Sequence, residues 1–172
     1  RRPARLPRTA RSLDTGLNLT AVRDPAEMLH QHLLDSLSVV TPIRNRLQSI
    51  PQPRLLDVGS GGGLPGVVLA LLCPEAEVTC VDTVGKKATF IRQAAAELGL
   101  RNLTAAHARV ETLPASPGYD VITARAFSSL ALLCQLTQPL LRAGGVWAAM
   151  KGQMPRAEID ELPPQIEVFH VE

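Results

Sequence analysis

The stretch Leu55-Leu56-Asp57-Val58-Gly59-Ser60-Gly61-Gly62-Gly63-Leu64-Pro65-Gly66 constrains this chain more than any other. Apolar residues run up to an acid, four of the next six residues are glycine, and a helix start follows. That order predicts a strand, a tight turn and a helix N-terminus. Glycine admits positive φ and lets a ligand lie against the main chain. The helix would aim its N–H groups and the positive end of its dipole at that ligand. Pro65 suits the first helical turn, where a missing N–H costs nothing. A nucleotide-like ligand is the expectation. The alternative is a turn that binds nothing, but so glycine-dense a loop loses more entropy on folding than a plain one.

The pattern discriminates between nucleotides. In the dinucleotide fingerprint G-x-G-x-x-G follows the strand directly. Counted from Gly59, its third glycine falls on Leu64; counted from Gly61 it fits, but two residues late. A phosphate-binding Walker loop needs a lysine that is missing here. Asp57 at the strand end suits a cationic ligand, an amino group or a sulfonium, better than a pyrophosphate. Asp57-x-Gly59-x-Gly61-x-Gly63 resembles motif I of the class I S-adenosylmethionine-dependent methyltransferases. An adenosine ribose needs an acceptor at the end of the next strand, about 20 residues on. Glu77–Asp82 reads as that strand, and Asp82 lies 23 positions past Gly59. The other reading of Asp82 is a cap for the helix that follows.

Composition narrows the class. A chain of 172 residues suits one domain. No apolar run reaches the about 18 residues of a membrane span, and no apolar segment follows the N-terminal arginines as in a secretory signal. Cys73, Cys80 and Cys134 are odd in number and scattered, and with four histidines they make no metal spacing. Buried, reduced thiols in a cytoplasmic protein are expected. Arg1, Arg2, Arg5, Arg8 and Arg11 supply five of the 18 basic side chains, leaving 13 against 16 acids, or −3. RNA affinity must therefore come from a local patch. Residues 1–16 read as a basic tail, an RNA-gripping arm or else a disordered or non-native end.

Residues 17–50 read as a helical segment, with one helix from Pro25 to Val40 behind an Asp24 cap and a short one near Ile43–Ile50. From residue 51 on, strands and helices alternate. Strands are expected at Arg54–Val58, Glu77–Asp82, Leu103–Ala106, Asp120–Ala124, Gly145–Met150 and Ile166–Val171. Helices are expected at Leu64–Leu72, Lys86–Leu98 and Leu130–Leu141. Repeated βα units imply an α/β, doubly wound, mostly parallel Rossmann-like sheet with the ligand at the carboxyl ends of its strands. Gly59, Asp82, Arg109–Glu111, Arg125 and Lys151 all fall at or just after those ends.

Beyond the glycine loop, the chain carries Asn18-Leu19-Thr20-Ala21-Val22-Arg23-Asp24, His32-Leu33-Leu34-Asp35-Ser36, Arg109-Val110-Glu111, Arg125-Ala126-Phe127 and Met150-Lys151-Gly152-Gln153. Together these resemble the glucose-inhibited division protein B family, bacterial enzymes that make 7-methylguanosine in 16S ribosomal RNA. The resemblance runs from Asn18 to Glu172. It implies S-adenosylmethionine as cofactor, with Gly59 and Leu64 lining its pocket and Asp82 on the ribose. Val110 and Glu111 would flank the adenine, and Arg125 would sit by the methionine end or the target guanosine. Structural alternatives stand beside these: Val110 as core, Glu111 as a solvated acid, Arg125 as an ion-pair partner, and His32 bonded to Asp35 rather than to RNA.

Guanine N7 presents a lone pair and no proton, so no general base is needed. Positioning would dominate, and no acid–base residue is assigned; Arg125 is the one side chain placed to take part. The turn after the fourth strand, Thr123-Ala124-Arg125-Ala126-Phe127, lacks the Asn/Asp-Pro-Pro-Tyr/Phe sequence of amine methylation. Candidate RNA contacts are Arg23, His32, Lys87, Arg125 and Lys151, with Lys86, Arg92, Arg156 and Arg44 as further cations. The partner implied is 16S ribosomal RNA within the small subunit, met by a monomer that uses no metal.

The chain also departs from the family. Gln31 stands where an arginine is usual, and residues before Asn18 do not resemble the family's long N-terminal helices. No sequence is seen for the final strand of a class I methyltransferase. A truncated or partial chain, whose methyltransferase domain at residues 51–172 is C-terminally incomplete and less stable than that of a full family member, is the expectation that follows. Other classes stay open: a non-catalytic RNA- or partner-binding remnant of the same fold, and an NAD-dependent oxidoreductase.

Overall fold

The computed structural model describes residues 32–169. Two short helices, α1 (Leu34–Ser38) and α2 (Val40–Leu47), precede the sheet. Strand β1 (Arg54–Val58) runs into the glycine loop and helix α3 (Gly66–Leu72). Strand β2 (Glu77–Asp82), helix α4 (Gly85–Leu98) and strand β3 (Leu103–His107) follow. After a 3-10 turn at Val110–Thr112 come β4 (Tyr119–Arg125), α5 (Leu130–Thr137), a second 3-10 turn at Gln138–Leu140, β5 (Leu141–Met150) and α6 (Arg156–Asp160). The five strands lie in the order β3-β2-β1-β4-β5, and every pairing is parallel. The Rossmann-like fold read from the βα repeats is thus the fold observed.

Strand alternation sorts the core into two layers, because successive side chains point to opposite faces. Leu55, Val78, Cys80 and Val121 meet α2, α3 and α4 through Leu47, Leu69 and Ile91 on one face. Leu56, Val58, Val81, Ile122 and Ala124 meet α5 and the 3-10 turns through Leu133, Leu140 and Val110 on the other. Helix α2 buries Val40, Ile43 and Leu47, so the described part of the N-terminal segment packs directly on the sheet. All three cysteines are free and buried. Among the described residues no helix is long and apolar enough to cross a membrane.

Several boundaries differ from expectation. The predicted helix from Pro25 breaks at Val39, and its first residues, with Arg23 and the basic tail, lie outside the described residues. Helix α3 begins at Gly66, not Leu64, because residues 61–65 turn first. Helix α5 ends at Thr137, since Pro139 cannot donate to a continuing helix. Strand β5 starts at Leu141, four residues early, and absorbs Gly144 and Gly145 in an irregular register against β4. Helix α6 was not anticipated. Residues 166–169, the described part of the expected last strand, join no strand.

Asn102 shows how the layers are tied. Its side-chain amide lies within hydrogen-bond reach of the carbonyls of Ala70 and Ala76, both at 3.0 Å, and more weakly of Cys73. It satisfies acceptors at the end of α3 and in the turn that follows it. Replacement by alanine strands them at a half-buried position. We expect Asn102→Ala to cost about 1–3 kcal/mol in denaturant unfolding; a variant as stable as the parent would show that water replaces the amide.

Candidate functional site

The glycine loop lies at the carboxyl end of β1, between β2 and β4. Its turns take positive φ at Gly59 (66°), Gly61 (56°) and Gly63 (87°), which glycine admits. The loop is held from below. The N–H groups of Gly59 and Ser60 donate to the Val81 carbonyl at 2.9 and 3.2 Å. Gly61 N–H donates to Asp82 Oδ2 at 2.9 Å, and Val84 N–H to Asp82 Oδ1 at 2.8 Å. Above it there is room: a Cβ at Gly62 would meet nothing within 4 Å, and one at Gly61 only the Gly59 carbonyl at 3.9 Å. That open main-chain surface is a cradle for a ligand.

Asp57 occupies a different place from the one its sequence position suggested. It is fully buried, beneath the loop rather than in its wall. Its Oδ2 accepts from Gly66 N–H at 3.0 Å and from the Cys80 thiol at 3.8 Å. The first N–H of α3 therefore points at an internal carboxylate, not at a ligand. Oδ1 meets no donor among the described residues. Burial pushes the Asp57 carboxyl up from 3.8 to about 7, against the Gly66 N–H, the Ser60 hydroxyl, the Arg125 charge and the Cys80 thiol, which all lower it. The same burial, with Asp57 beside it, pushes the Cys80 thiol well above its usual range.

The structure brings Gly59, Gly61, Asp82 and Arg125 together around the loop. Gly63 instead lies under α4, where a Cβ would meet Val67 at 2.7 Å and Ile91 at 3.2 Å. Leu64 is half-buried against the first core layer. Asp82 is buried, with Lys87 at 3.9 Å, and it bonds Val84 just ahead of α4 rather than capping the helix itself. The loop after β3 joins the site through Ala108 N–H, which donates to the Asp82 carbonyl at 3.2 Å. The Val110 side chain goes into the second core layer. Glu111 is exposed and lines a groove of about 400 Å³ with Gln135, Leu136 and Pro139, none of them from the glycine loop.

Several of the cations read as RNA contacts have internal partners. Arg125 Nη1 lies 2.6 Å from His32 Nδ1, so His32 meets the end of β4 from the N-terminal segment. Lys151 donates to the Ser128 carbonyl at 2.8 Å and bonds Glu158. Arg92 and Arg44 bond the carbonyls of Ala105 and Leu72. Cys80 and Glu158 were missed. The sequence holds no signal for Glu158, and Cys80 meets Asp57 only through the β1–β2 register.

The family model described as GidB, rRNA small subunit methyltransferase G, matches residues 8–172. The chain belongs to that family. It is 66% identical over 155 residues to the ribosomal RNA small subunit methyltransferase G of Leptothrix cholodnii, covering 90% of this chain and 70% of that protein. Its counterpart from Methylibium petroleiphilum is 61% identical over 155 residues, covering 90% and 69%. Among solved structures, an S-adenosyl-L-homocysteine complex of a SAM-dependent methyltransferase from Thiobacillus denitrificans superposes with a TM-score of 0.57 at 16% identity, over 85% of this chain and 56% of that one. Coclaurine N-methyltransferase bound to N-methylheliamine and SAH gives 0.56 at 19% identity, over 66% and 35%. At such identities the superpositions establish the fold.

Two tests follow from this family member's loop. A Cβ at Gly66 would stand 2.3 Å from Cys80 Sγ and 2.8 Å from Asp57 Oδ2, both buried. Gly66→Ala should cost about 1–3 kcal/mol, and Cys80→Ala in the same chain should restore part of it; additive losses would place the strain elsewhere. The second test uses pH. A raised folded pKa means that native Asp57 keeps its proton where the unfolded chain has lost it. Its stabilisation is complete below the unfolded value of 3.8 and disappears as pH rises to about 7. Denaturant unfolding from pH 4 to 7 should show the parent losing up to about 1.4 kcal/mol per unit relative to Asp57→Asn. Parallel curves would mean an unshifted carboxyl.

Proposed function

We propose that this chain transfers the methyl group of S-adenosylmethionine to N7 of a guanosine in 16S ribosomal RNA, acting as a cytoplasmic monomer on the small ribosomal subunit. The observation that carries the reading is the open glycine cradle at the carboxyl ends of β1, β2 and β4, in a chain of the GidB family. S-adenosylmethionine supplies an electrophilic methyl group on a sulfonium. The residues present fit such a ligand. Main chain at Gly59 and Gly61 lines the cradle. Asp82 has lone pairs left over from its two backbone bonds and takes the ribose hydroxyls. Leu64 packs at the loop's edge, and the Val110 main chain would meet the adenine.

Guanine N7 has no proton to lose, so the chain's contribution is alignment and exclusion of water rather than acid–base work. Arg125, bonded to His32 at the mouth of the loop, orients the incoming guanosine or its phosphate.

Thermal unfolding with S-adenosylhomocysteine, S-adenosylmethionine and NAD added separately checks the cofactor. Ligand at about 100 times its dissociation constant adds about 2.7 kcal/mol, a shift of several degrees. The adenosyl ligands alone should shift the midpoint, and 7-methylguanosine should form in small subunits incubated with the chain. A shift with NAD alone would overturn the reading. A cooperative transition that no ligand moves would leave a fold that binds RNA or a partner without catalysis.

A further inference from the structure

The turn that joins β4 to α5 is held in an unusual shape from outside. Ala126 has φ of 51°, a left-handed conformation that an L side chain adopts at a cost, and it is not glycine. Such a residue persists only when its surroundings over-determine it. Here two groups do so. Lys151, directly after β5, donates from Nζ to the Ser128 carbonyl at 2.8 Å. Glu158 of α6 accepts from Leu130 N–H at 2.8 Å, the first amide of α5. The two side chains are joined, Nζ to Oε2, at 2.8 Å and are only 20% and 32% exposed. Ser129 adds a cap of its own on Leu132 N–H, so the start of α5 is fixed twice.

What the turn carries lies against the cofactor cradle. A Cβ on Gly59 would fall 3.2 Å from the Phe127 ring, so Phe127 rests on the bare α-carbon of that glycine. Arg125 sits beside the loop because Ala124 pairs with Val58 in the sheet. We propose that Lys151 and Glu158 are positioning residues for methyl transfer. They clamp the 125–129 turn in the strained shape that lays Phe127 on Gly59 and sets Arg125 at the mouth of the loop. This rests on the reading of the loop as the cofactor cradle. It replaces the role expected for Lys151 as a phosphate contact: its ammonium is committed to the turn.

The test compares the parent chain with Lys151→Met, Lys151→Arg, Glu158→Ala and the Lys151→Met/Glu158→Ala pair. Methyl transfer to small subunits and binding of S-adenosylhomocysteine are measured for each. A clamp predicts a tenfold or greater fall in kcat for Lys151→Met and for Glu158→Ala, with ligand Kd within twofold of the parent. The pair should lose no more than the worse single variant, since both act through one turn, and Lys151→Arg should keep most of the rate. A phosphate contact predicts otherwise: Lys151→Met would raise KM for RNA and lower the salt slope by about 1, while Glu158→Ala, with an acid removed, would improve RNA binding. That pattern, or a folded Lys151→Met variant with kcat within twofold of the parent, overturns the proposal. Hydrogen exchange reads the clamp without turnover. The Leu130 amide should exchange at least tenfold faster in Glu158→Ala than in the parent, and equal rates would refute it. A parent chain that binds no S-adenosylhomocysteine brings the proposal down together with the cofactor reading; parent-like variants of a binding chain remove the clamp alone.

Discussion

A buried carboxylate holds the centre of this fold together. Asp57 is the last inward-facing residue of β1 on its layer, and its Oδ2 accepts the first N–H of α3 across nine residues of chain. An acid at a helix N-terminus is favourable, and here it draws the helix so close that position 66 admits no side chain: Cys80 Sγ and Asp57 fill the space. The glycine loop between them is then too short to wander. The Val81 carbonyl and the Asp82 carboxylate fix its underside with three N–H bonds, and only its upper face stays open. Burial pushes its pKa to about 7, so below that pH the group holds its proton while Oδ2 still accepts from the helix.

The same economy of parts governs the other side of the loop. Transfer to a lone pair that bears no proton asks a protein for alignment, and alignment asks for backbone that does not drift. Ala126 in a left-handed conformation, Phe127 on the bare Gly59 and the bonds to Ser128 and Leu130 together make a stiff wall opposite the loop. Strain there is tolerable because the bonds that impose it come from β5 and α6 and not from the turn itself.

Much of this was written in local sequence. The glycine-dense loop read as a tight turn open to positive φ, and three of its glycines adopt it. The βα alternation predicted the sheet, since periodicity and breakers are short-range signals. What sequence misplaced depends on which face a residue takes and on what lies across the sheet. Asp57 read as a ligand-facing acid, because in sequence it touches the loop; strand alternation puts it beneath. Val110 read either as an adenine neighbour or as core, and its side chain lies in the second core layer. Glu158 carries no signal at all, because its partners at 130 and 151 reach it only after β5 crosses back beside β4. Boundaries failed where one residue overrode a pattern, Pro139 ending α5 early and letting β5 begin at Leu141.

A protein that modifies RNA is expected to show cations to its substrate, since phosphate neutralisation supplies most of the affinity. Several of the cations read as RNA contacts are bonded within the chain: Lys87 lies by Asp82, Arg125 by His32 and Lys151 in the clamp, while the exposed Arg92 and Arg44 close on main-chain carbonyls. Drawing Lys87, Arg125 or Lys151 onto a phosphate would break a bond beside the loop. Lys86 and Arg156 remain exposed, and Arg1, Arg2, Arg5, Arg8 and Arg11 hold five of the chain's 18 basic side chains, leaving the rest at −3. Among the described residues, then, the cations beside the loop are engaged within the chain, and they contribute to its geometry through those bonds.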